Sequence, residues 1–279
     1  MKNVLIVGEG SYIGTSFARY ASSRYNIKTI CMKDGKLTDA DFSSIDSVLH
    51  CAGIAHVAQK KNMRQLYYEI NCDLAVNVAE KAKAAGVEQF VFLSSMSVYG
   101  DINGVITPET EPKATDFYGG SKLAAEEKLR QLASSVFSIC ILRPPMVYGF
   151  GCKGNFPRLV ALAKRLPVFP NVQNRRSMIY IDNLCEFICQ AIDNNKSGIH
   201  LPQNAEYMNT TELVKIIAQL HGKRMRTTRV FNPLISFLKK FFSPVDKLFS
   251  DLVYVKTGNE AEYNVVSFED GARVAVLGK

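Results

Sequence analysis

The apolar run Asn3-Val4-Leu5-Ile6-Val7 stops at Gly8-Glu9-Gly10-Ser11-Tyr12-Ile13-Gly14, and residues 12–23 then place apolar side chains at helical spacing. Apolar residues without polar alternation predict a strand covered on both faces. A doubly covered strand that feeds a helix through a tight turn is the opening of a β-α-β unit. That unit builds parallel sheets sandwiched between helices.

The following residues repeat the alternation. Strands are predicted over 27–32, ending in Lys33-Asp34-Gly35, and over 47–51, ending in Ala52-Gly53. A helix over 63–85 carries Leu66, Ile70, Leu74, Val78 and Ala82 on one stripe and closes at Gly86. A strand over 89–93, a turn-rich stretch over 100–112, a helix over 118–133 and the apolar run 136–142 follow, stopped by Arg143-Pro144-Pro145. The fold class is therefore α/β, a Rossmann-type doubly wound parallel sheet. After Gly149 the pattern loosens, with one helix over 156–165, the segment LPVFPNVQN, an amphipathic helix over 182–192, and irregular sequence from about 198. Two domains are expected: 1–150 plus about 176–198, and a smaller, partly discontinuous lobe of about 151–175 plus 199–279. In VFNPLISFLKKFFSPVDKLFSDL aromatics alternate with lysines, as on a membrane-surface helix. Because Pro233 and Pro244 interrupt that run, the preferred reading is a helical pair packed on the lobe with its lysines in water.

The chain has 279 residues, within the range of one or two domains at ~150 each. With 47% hydrophobic residues it is not a mainly disordered chain. Its net charge of +8 favours anionic partners, but no Lys/Arg block selects nucleic acid. The seven cysteines (Cys31, Cys51, Cys72, Cys140, Cys152, Cys185, Cys189) are scattered without C-x-x-C pairing, so they predict core residues in a reducing compartment and no metal site. MKNVLIVGEG lacks the features of a signal peptide, and no stretch approaches the ~18 apolar residues of a membrane span. A cytoplasmic protein is expected.

Two constellations carry chemistry. In the glycine turn the backbone can approach a pyrophosphate, whose charge is stabilised by the N–H groups and positive end of the following helix. At the end of the second strand an acidic side chain would accept from a ribose 2′-hydroxyl and a basic one would pair with a 2′-phosphate. Lys33 followed by Asp34 leaves NAD and NADP open, with Lys33 nearer the expected position. The second constellation joins Ser95 in FVFLSSMSVYG to Tyr118 and Lys122 in FYGGSKLAAEE. Four residues apart on a helix, Tyr118 and Lys122 share a face. A nearby ammonium would favour the phenolate of a tyrosine, whose ordinary pKa is ~10. Ser95, at the carboxyl end of a buried strand, is where open α/β sheets bind ligands.

These segments, with SVLHCAGIAH, EINCDLAVNVAE, LRPPMVYGFG and RRSMIYIDNL, make the chain resemble an extended short-chain dehydrogenase/reductase of the NAD-dependent nucleotide-sugar epimerase/dehydratase family over nearly its whole length. The resemblance implies NAD or NADP held by Gly8, Ser11, Tyr12, Ile13 and Gly14, by Lys33, by Cys51, Ala52 and Gly53, and by Pro145 and Val147. It implies Ser95, Tyr118 and Lys122 as the catalytic set, the latter two also lining the cofactor. Arg176 would contact the diphosphate of a nucleotide sugar, with Ser95, Asn155 and Phe156 also on the substrate side. A homodimer is implied as well. The chain departs from the family in two places: Ser11 replaces the usual middle glycine, and the region between the second strand and SVLHCAG is short, so a third strand-helix unit is reduced or missing.

Family 4,6-dehydratases follow the catalytic hydroxyl residue with an Asp-Glu pair, whereas this chain has Met96-Ser97. Methionine transfers no proton, so dehydration is disfavoured. The expectation is hydride chemistry at C4 of a nucleotide-activated sugar, a UDP-N-acetylhexosamine derivative of surface-polysaccharide synthesis, by a 4-epimerase or a 4-ketoreductase. The alternative is a sensor or scaffold that binds NAD(P) without turnover.

Overall fold

The computed structural model describes residues 1–31, 41–55, 61–239 and 241–278. Its elements begin with β1 (Asn3–Val7), α1 (Tyr12–Tyr20), β2 (Asn26–Ile30), β3 (Ser47–His50), α2 (Arg64–Tyr68), α3 (Leu74–Ala84), β4 (Gln89–Leu93), β5 (Gly104–Ile106) and α4 (Phe117–Leu132). Then come β6 (Ser138–Leu142), β7 (Met146–Tyr148), α5 (Asn155–Arg165), β8 (Val168–Pro170), β9 (Met178–Tyr180), α6 (Ile181–Asp193) and β10 (Gly198–His200). The last are α7 (Thr210–Leu220), β11 (Arg226–Thr228), α8 (Asn232–Leu238), α9 (Ser243–Phe249), β12 (Leu252–Tyr254) and α10 (Phe268–Leu277). The chain forms two compact units, one of Met1–Asp101, Glu111–Pro145 and Ile181–Pro202, the other of Ile102–Thr110, Met146–Tyr180 and Gln203–Lys279.

The first unit is built on a parallel sheet ordered β10-β6-β4-β3-β1-β2. Register explains why its strands read as unbroken apolar runs. Leu5, Val48, Phe90 and Ile139 pair in one row and lie in the core beneath Ala75, Val78, Ala79 and Ala82 of α3 and Ala125 and Leu129 of α4. The adjacent row, Ile6, Leu49, Val91 and Cys140, faces the other way and is equally buried. Ile6 there approaches Gly14 of α1, which packs with α6. Both faces are covered, as expected of this α/β class, and each such buried side chain contributes about 1.5–3 kcal/mol. The chain reverses direction across the sheet between β1 and β3, which places Gly8–Gly10 and Cys51–Gly53 at a topological switch point.

Three details differ from expectation. The helix expected over 63–85 is interrupted by a π-helical turn, Glu69–Asp73. Its buried Asn71 donates to the Ile54 carbonyl at 3.1 Å and to Ser121 Oγ at 3.0 Å, and accepts from the Ile54 N–H at 2.8 Å. The widened turn aims a polar side chain into the sheet's carboxyl edge. β2 is an edge strand, so Cys31 just beyond it is exposed rather than core, although all seven cysteines are free. β10 falls where the sequence is irregular, yet it pairs with β6.

The second unit holds three two-stranded parallel ribbons, β7 with β9, β8 with β11 and β5 with β12. With three residues each, these strands are too short to show a period. Its aromatic core centres on Tyr148, whose ring lies 5.3 Å from Phe156, 5.4 Å from Tyr180 and 5.8 Å from Phe268. Pro233 and Pro244 stand in the first turns of α8 and α9. There the missing N–H costs nothing, so they start two helices instead of breaking one.

Candidate active site

The turn after β1 explains how Ser11 substitutes for a glycine. Ser11 is the N-cap of α1 in an extended conformation, and its Oγ accepts from the Gly14 N–H at 3.1 Å. The left-handed turn falls one residue earlier, on Gly10 at φ +76°, where a Cβ would meet nothing within 4 Å. Gly8, at φ +116°, has no such space: a Cβ there would stand 2.6 Å from the Ala52 nitrogen. Tyr12 and Ile13 form the first turn of α1, whose leading N–H groups have no partner within the helix. A bare backbone at Gly8, a left-handed turn opening on free space and a capped helix N-terminus together fit a pyrophosphate.

The second strand end closes on the same place. Gly53 lies against Asn71 and Lys122, since a Cβ on it would stand 2.8 Å from Asn71 Oδ1 and 3.4 Å from Lys122 Nζ. The Lys122 side chain is buried, donates to the Leu93 carbonyl at 2.8 Å and lies 4.6 Å from the Phe92 ring centroid. Burial lowers its pKa to about 8 against the opposing pull of Cys51 and Glu126. The Cys51 thiol is pushed up to about 12 by burial, moderated by the Lys122 charge and a hydrogen bond with Ser11. His50 lies between Phe90 and Phe92, with neither ring nitrogen hydrogen-bonded among the described residues. Burial and the Lys122 charge lower its pKa to about 3, so it adds no charge beneath the site.

Ser95 caps the 3₁₀ turn Met96–Tyr99 by accepting from the Ser97 N–H at 3.1 Å and donates to Ser97 Oγ at 3.2 Å, with its hydroxyl close enough to the Tyr118 phenol to influence it. Asp116 caps α4 from the Gly119 N–H at 2.7 Å and so fixes the helix that carries Tyr118 and Lys122. Ser95, Tyr118 and Lys122 therefore converge at the carboxyl edge of β4. The expected lowering of the Tyr118 pKa does not hold in this geometry. Burial raises it, Asp116 and Tyr67 add to the rise, and the Ser95 hydroxyl opposes it. Burial of the phenol is the largest cause, and the Lys122 ammonium donates to the Leu93 carbonyl.

Beneath this set lies a network that the sequence did not announce. Glu126, one turn after Lys122, is fully buried and accepts from Arg143 Nε at 3.0 Å and Nη2 at 2.5 Å, and from the Ser94 hydroxyl. Arg143 Nη1 donates to Tyr99 Oη at 2.8 Å. Ser94 precedes Ser95, so α4, the end of β4 and the end of β6 are tied by charge-assisted bonds. Glu126 stands in the charged stretch Glu126-Glu127-Lys128 and Arg143 just past an apolar run, so neither gave a signal for it, whereas Asn71 lies beside the apolar stripe.

Lys33 and Asp34 fall outside the described residues. Pro145 is buried at the end of a segment of the first unit, and Val147 is half-buried in β7 of the second. In the second unit Asn155 is the exposed first residue of α5, whereas Phe156 is 1% exposed and stacks on Tyr148 in the aromatic core. The half-buried Arg176 donates to the Ser250 carbonyl at 3.3 Å. Burial lowers its pKa against the pull of Asp246 and Asp251, and among the described residues no carboxylate lies within ion-pair distance. Its neighbour Arg175 is the one that pairs with Asp251. Among the described residues no cluster of His, Cys, Asp and Glu could hold a metal ion.

Residues 4–204 match the model of the NAD dependent epimerase/dehydratase family. The chain is 33% identical over 246 residues to a UDP-glucose 4-epimerase of Vibrio cholerae, covering 78% of this chain and 75% of that one. It is 28% identical over 256 residues to the N-acetyl-alpha-D-glucosaminyl-diphospho-ditrans,octacis-undecaprenol 4-epimerase of Escherichia coli O157:H7, covering 83% and 76%. Among solved structures it is similar to a UDP-glucuronic acid 4-epimerase from Bacillus cereus in complex with NAD, with a TM-score of 0.74 at 18% identity over 97% of this chain and 96% of that one. It is also similar to a dTDP-4-dehydrorhamnose reductase from Bacillus anthracis in complex with NADP, with a TM-score of 0.73 at 20% identity over both whole chains.

Proposed function

The chain belongs to the NAD dependent epimerase/dehydratase family, and on that footing we propose that it is a 4-epimerase of an N-acetylhexosamine carried on a diphosphate, with UDP as the carrier, in surface-polysaccharide synthesis. The observation that carries the reading is the grouping of Ser95, Tyr118 and the buried Lys122 at the carboxyl edge of the sheet. The cofactor is NAD or NADP, which when bound would supply the chemistry of hydride acceptance and return. Gly8, Gly10 and Ser11 would hold its pyrophosphate, with Cys51–Gly53 beside it. Tyr118 takes the proton from the C4 hydroxyl and gives it back, while Ser95 orients that oxygen. Lys122 supplies the positive charge that favours the phenolate once its ammonium leaves the Leu93 carbonyl. Arg176 offers its guanidinium to the diphosphate, as its burial without a carboxylate partner suits an anion. Met96 and Ser97 speak against 4,6-dehydration. Both curated relatives described above carry the name 4-epimerase, which favours that outcome over 4-ketoreduction.

The test is incubation with UDP-N-acetylglucosamine and NAD, with the C4 epimer read by proton NMR, for wild type and Tyr118→Phe. Epimer formation that falls about 10²–10⁴-fold in Tyr118→Phe, with NAD binding retained, is the expected result. Loss of reduced-nicotinamide absorbance with a UDP-4-keto-6-deoxy sugar, and no epimer, would replace the reading by a 4-ketoreductase. Indifference of every activity to Tyr118→Phe would leave a sensor or scaffold. Light scattering in solution tests the homodimer.

A further inference from the structure

The region around α8 turns its apolar face outward. Leu234 and Phe237 lie three residues apart on α8, with Val230 just before the helix and Phe241 just after it. They are 56%, 59%, 79% and 67% exposed, while Ile235, on the opposite side, is the residue that anchors α8. Phe231 and Phe242 are 46% and 55% exposed beside them, and the rings of Phe237 and Phe241 lean on each other at 5.1 Å. Six large side chains at this exposure present roughly 600 Å² of apolar surface, as much as the largest patch of an ordinary soluble protein. Lys247 is exposed, Lys239 is half-buried and Lys240 lies outside the described residues, while the aromatics stand in water.

The segment that carries this face is basic, although Asp246 and Asp251 line one pocket with its Ser236 and Lys239. The thirty residues 221–250 contain seven lysines and arginines against the single acidic Asp246, and so hold most of the chain's net charge of +8. Lys223, Arg224, Arg226 and Arg229 are exposed on the approach to the face, and Lys239 and Lys247 lie within and beyond it. An apolar face with a basic rim is complementary to a surface with anionic headgroups over hydrocarbon. A second copy of the chain would bring the same positive rim against itself. A nucleic acid would satisfy the cations but leave Val230 and Leu234, which cannot stack on bases, in water. Among the described residues no helix is long and apolar enough to cross a membrane. We propose that the α8 face is a peripheral docking surface for an anionic lipid bilayer, with Phe237 and Phe241 inserted at the headgroup boundary. This surface stands independently of the proposed sugar chemistry, and a catalyst of any kind could carry it.

The test is sedimentation of the full chain with phosphatidylcholine vesicles and with mixed phosphatidylcholine and phosphatidylglycerol vesicles, without sugar or cofactor. Binding to the mixed vesicles should exceed binding to the neutral ones about tenfold or more and weaken with salt. Phe237→Ser with Phe241→Ser should abolish it while circular dichroism and epimerase activity on UDP-N-acetylglucosamine stay at wild-type values. Arg226→Glu with Arg229→Glu should weaken it at low salt, which keeps the test informative if the aromatic variant fails to fold. The proposal is overturned by absence of binding to both vesicles or by binding indifferent to both variants. Two other results also overturn it: self-association without lipid that the aromatic variant breaks, and single-stranded DNA binding with the same variant dependence and no vesicle binding.

Discussion

The Lys122 ammonium is 4% exposed, bonded to the Leu93 carbonyl, and its pKa is lowered from 10.5 to about 8. That difference amounts to about 3 kcal/mol against the charged form at neutral pH, more than the ~1 kcal/mol of one hydrogen bond. Lys122→Met should therefore abolish turnover yet leave the urea midpoint at pH 7 unchanged or higher. Between pH 8 and 10.5 the unfolded chain binds the extra proton, so this residue makes stability rise with pH across that window. Turnover should move the opposite way, falling above about pH 8 as the ammonium discharges. A pH profile of kcat beside urea unfolding at each pH separates the two effects. Gly8→Ala at φ +116°, with its Cβ 2.6 Å from the Ala52 nitrogen, should cost about 1–3 kcal/mol and reduce cofactor affinity. Urea unfolding and a cofactor titration measure the two losses.

At the scale of elements, α4 is held to the ends of β4 and β6 by Glu126, Ser94 and Arg143. Glu126→Gln keeps the shape but leaves the Arg143 guanidinium buried without its counter-charge, a loss of about 3–5 kcal/mol that urea unfolding would register. Activity should fall with it, because Ser95 and Lys122 ride on the elements that come loose. This network also marks the limit of what the sequence disclosed. β4 has the bounds its apolar run predicts, and α4 begins within a residue of expectation, because burial on both faces and the Asp116 cap are local signals. Ser95, Tyr118 and Lys122 were visible through their order and spacing. The Glu126–Arg143 pair joins residues seventeen apart on different elements, and nothing in either segment names its partner. Asn71 was hidden by a change of helical period, and Phe156 by resembling a pocket residue as much as a core one.

For the molecule as a whole, a cofactor that binds only the folded first unit must stabilise it by mass action. At a hundredfold excess over Kd the gain is about 2.7 kcal/mol, so a thermal melt with NAD and with NADP should rise for the preferred one. That melt would also decide between the readings of Lys33 and Asp34. The ribbons of the second unit carry no periodicity in three-residue strands, so the sequence could not show them. β10 has a further consequence, for synthesis. The edge of β6 that it covers is translated with Leu142, whereas His200 leaves the ribosome roughly sixty residues later, several seconds at ~5–20 residues per second. Throughout that interval the nascent chain offers Ser138–Leu142 as an open strand edge to any neighbour. Its safe passage depends on how quickly α6 and β10 follow, or on a chaperone that holds the edge until they do.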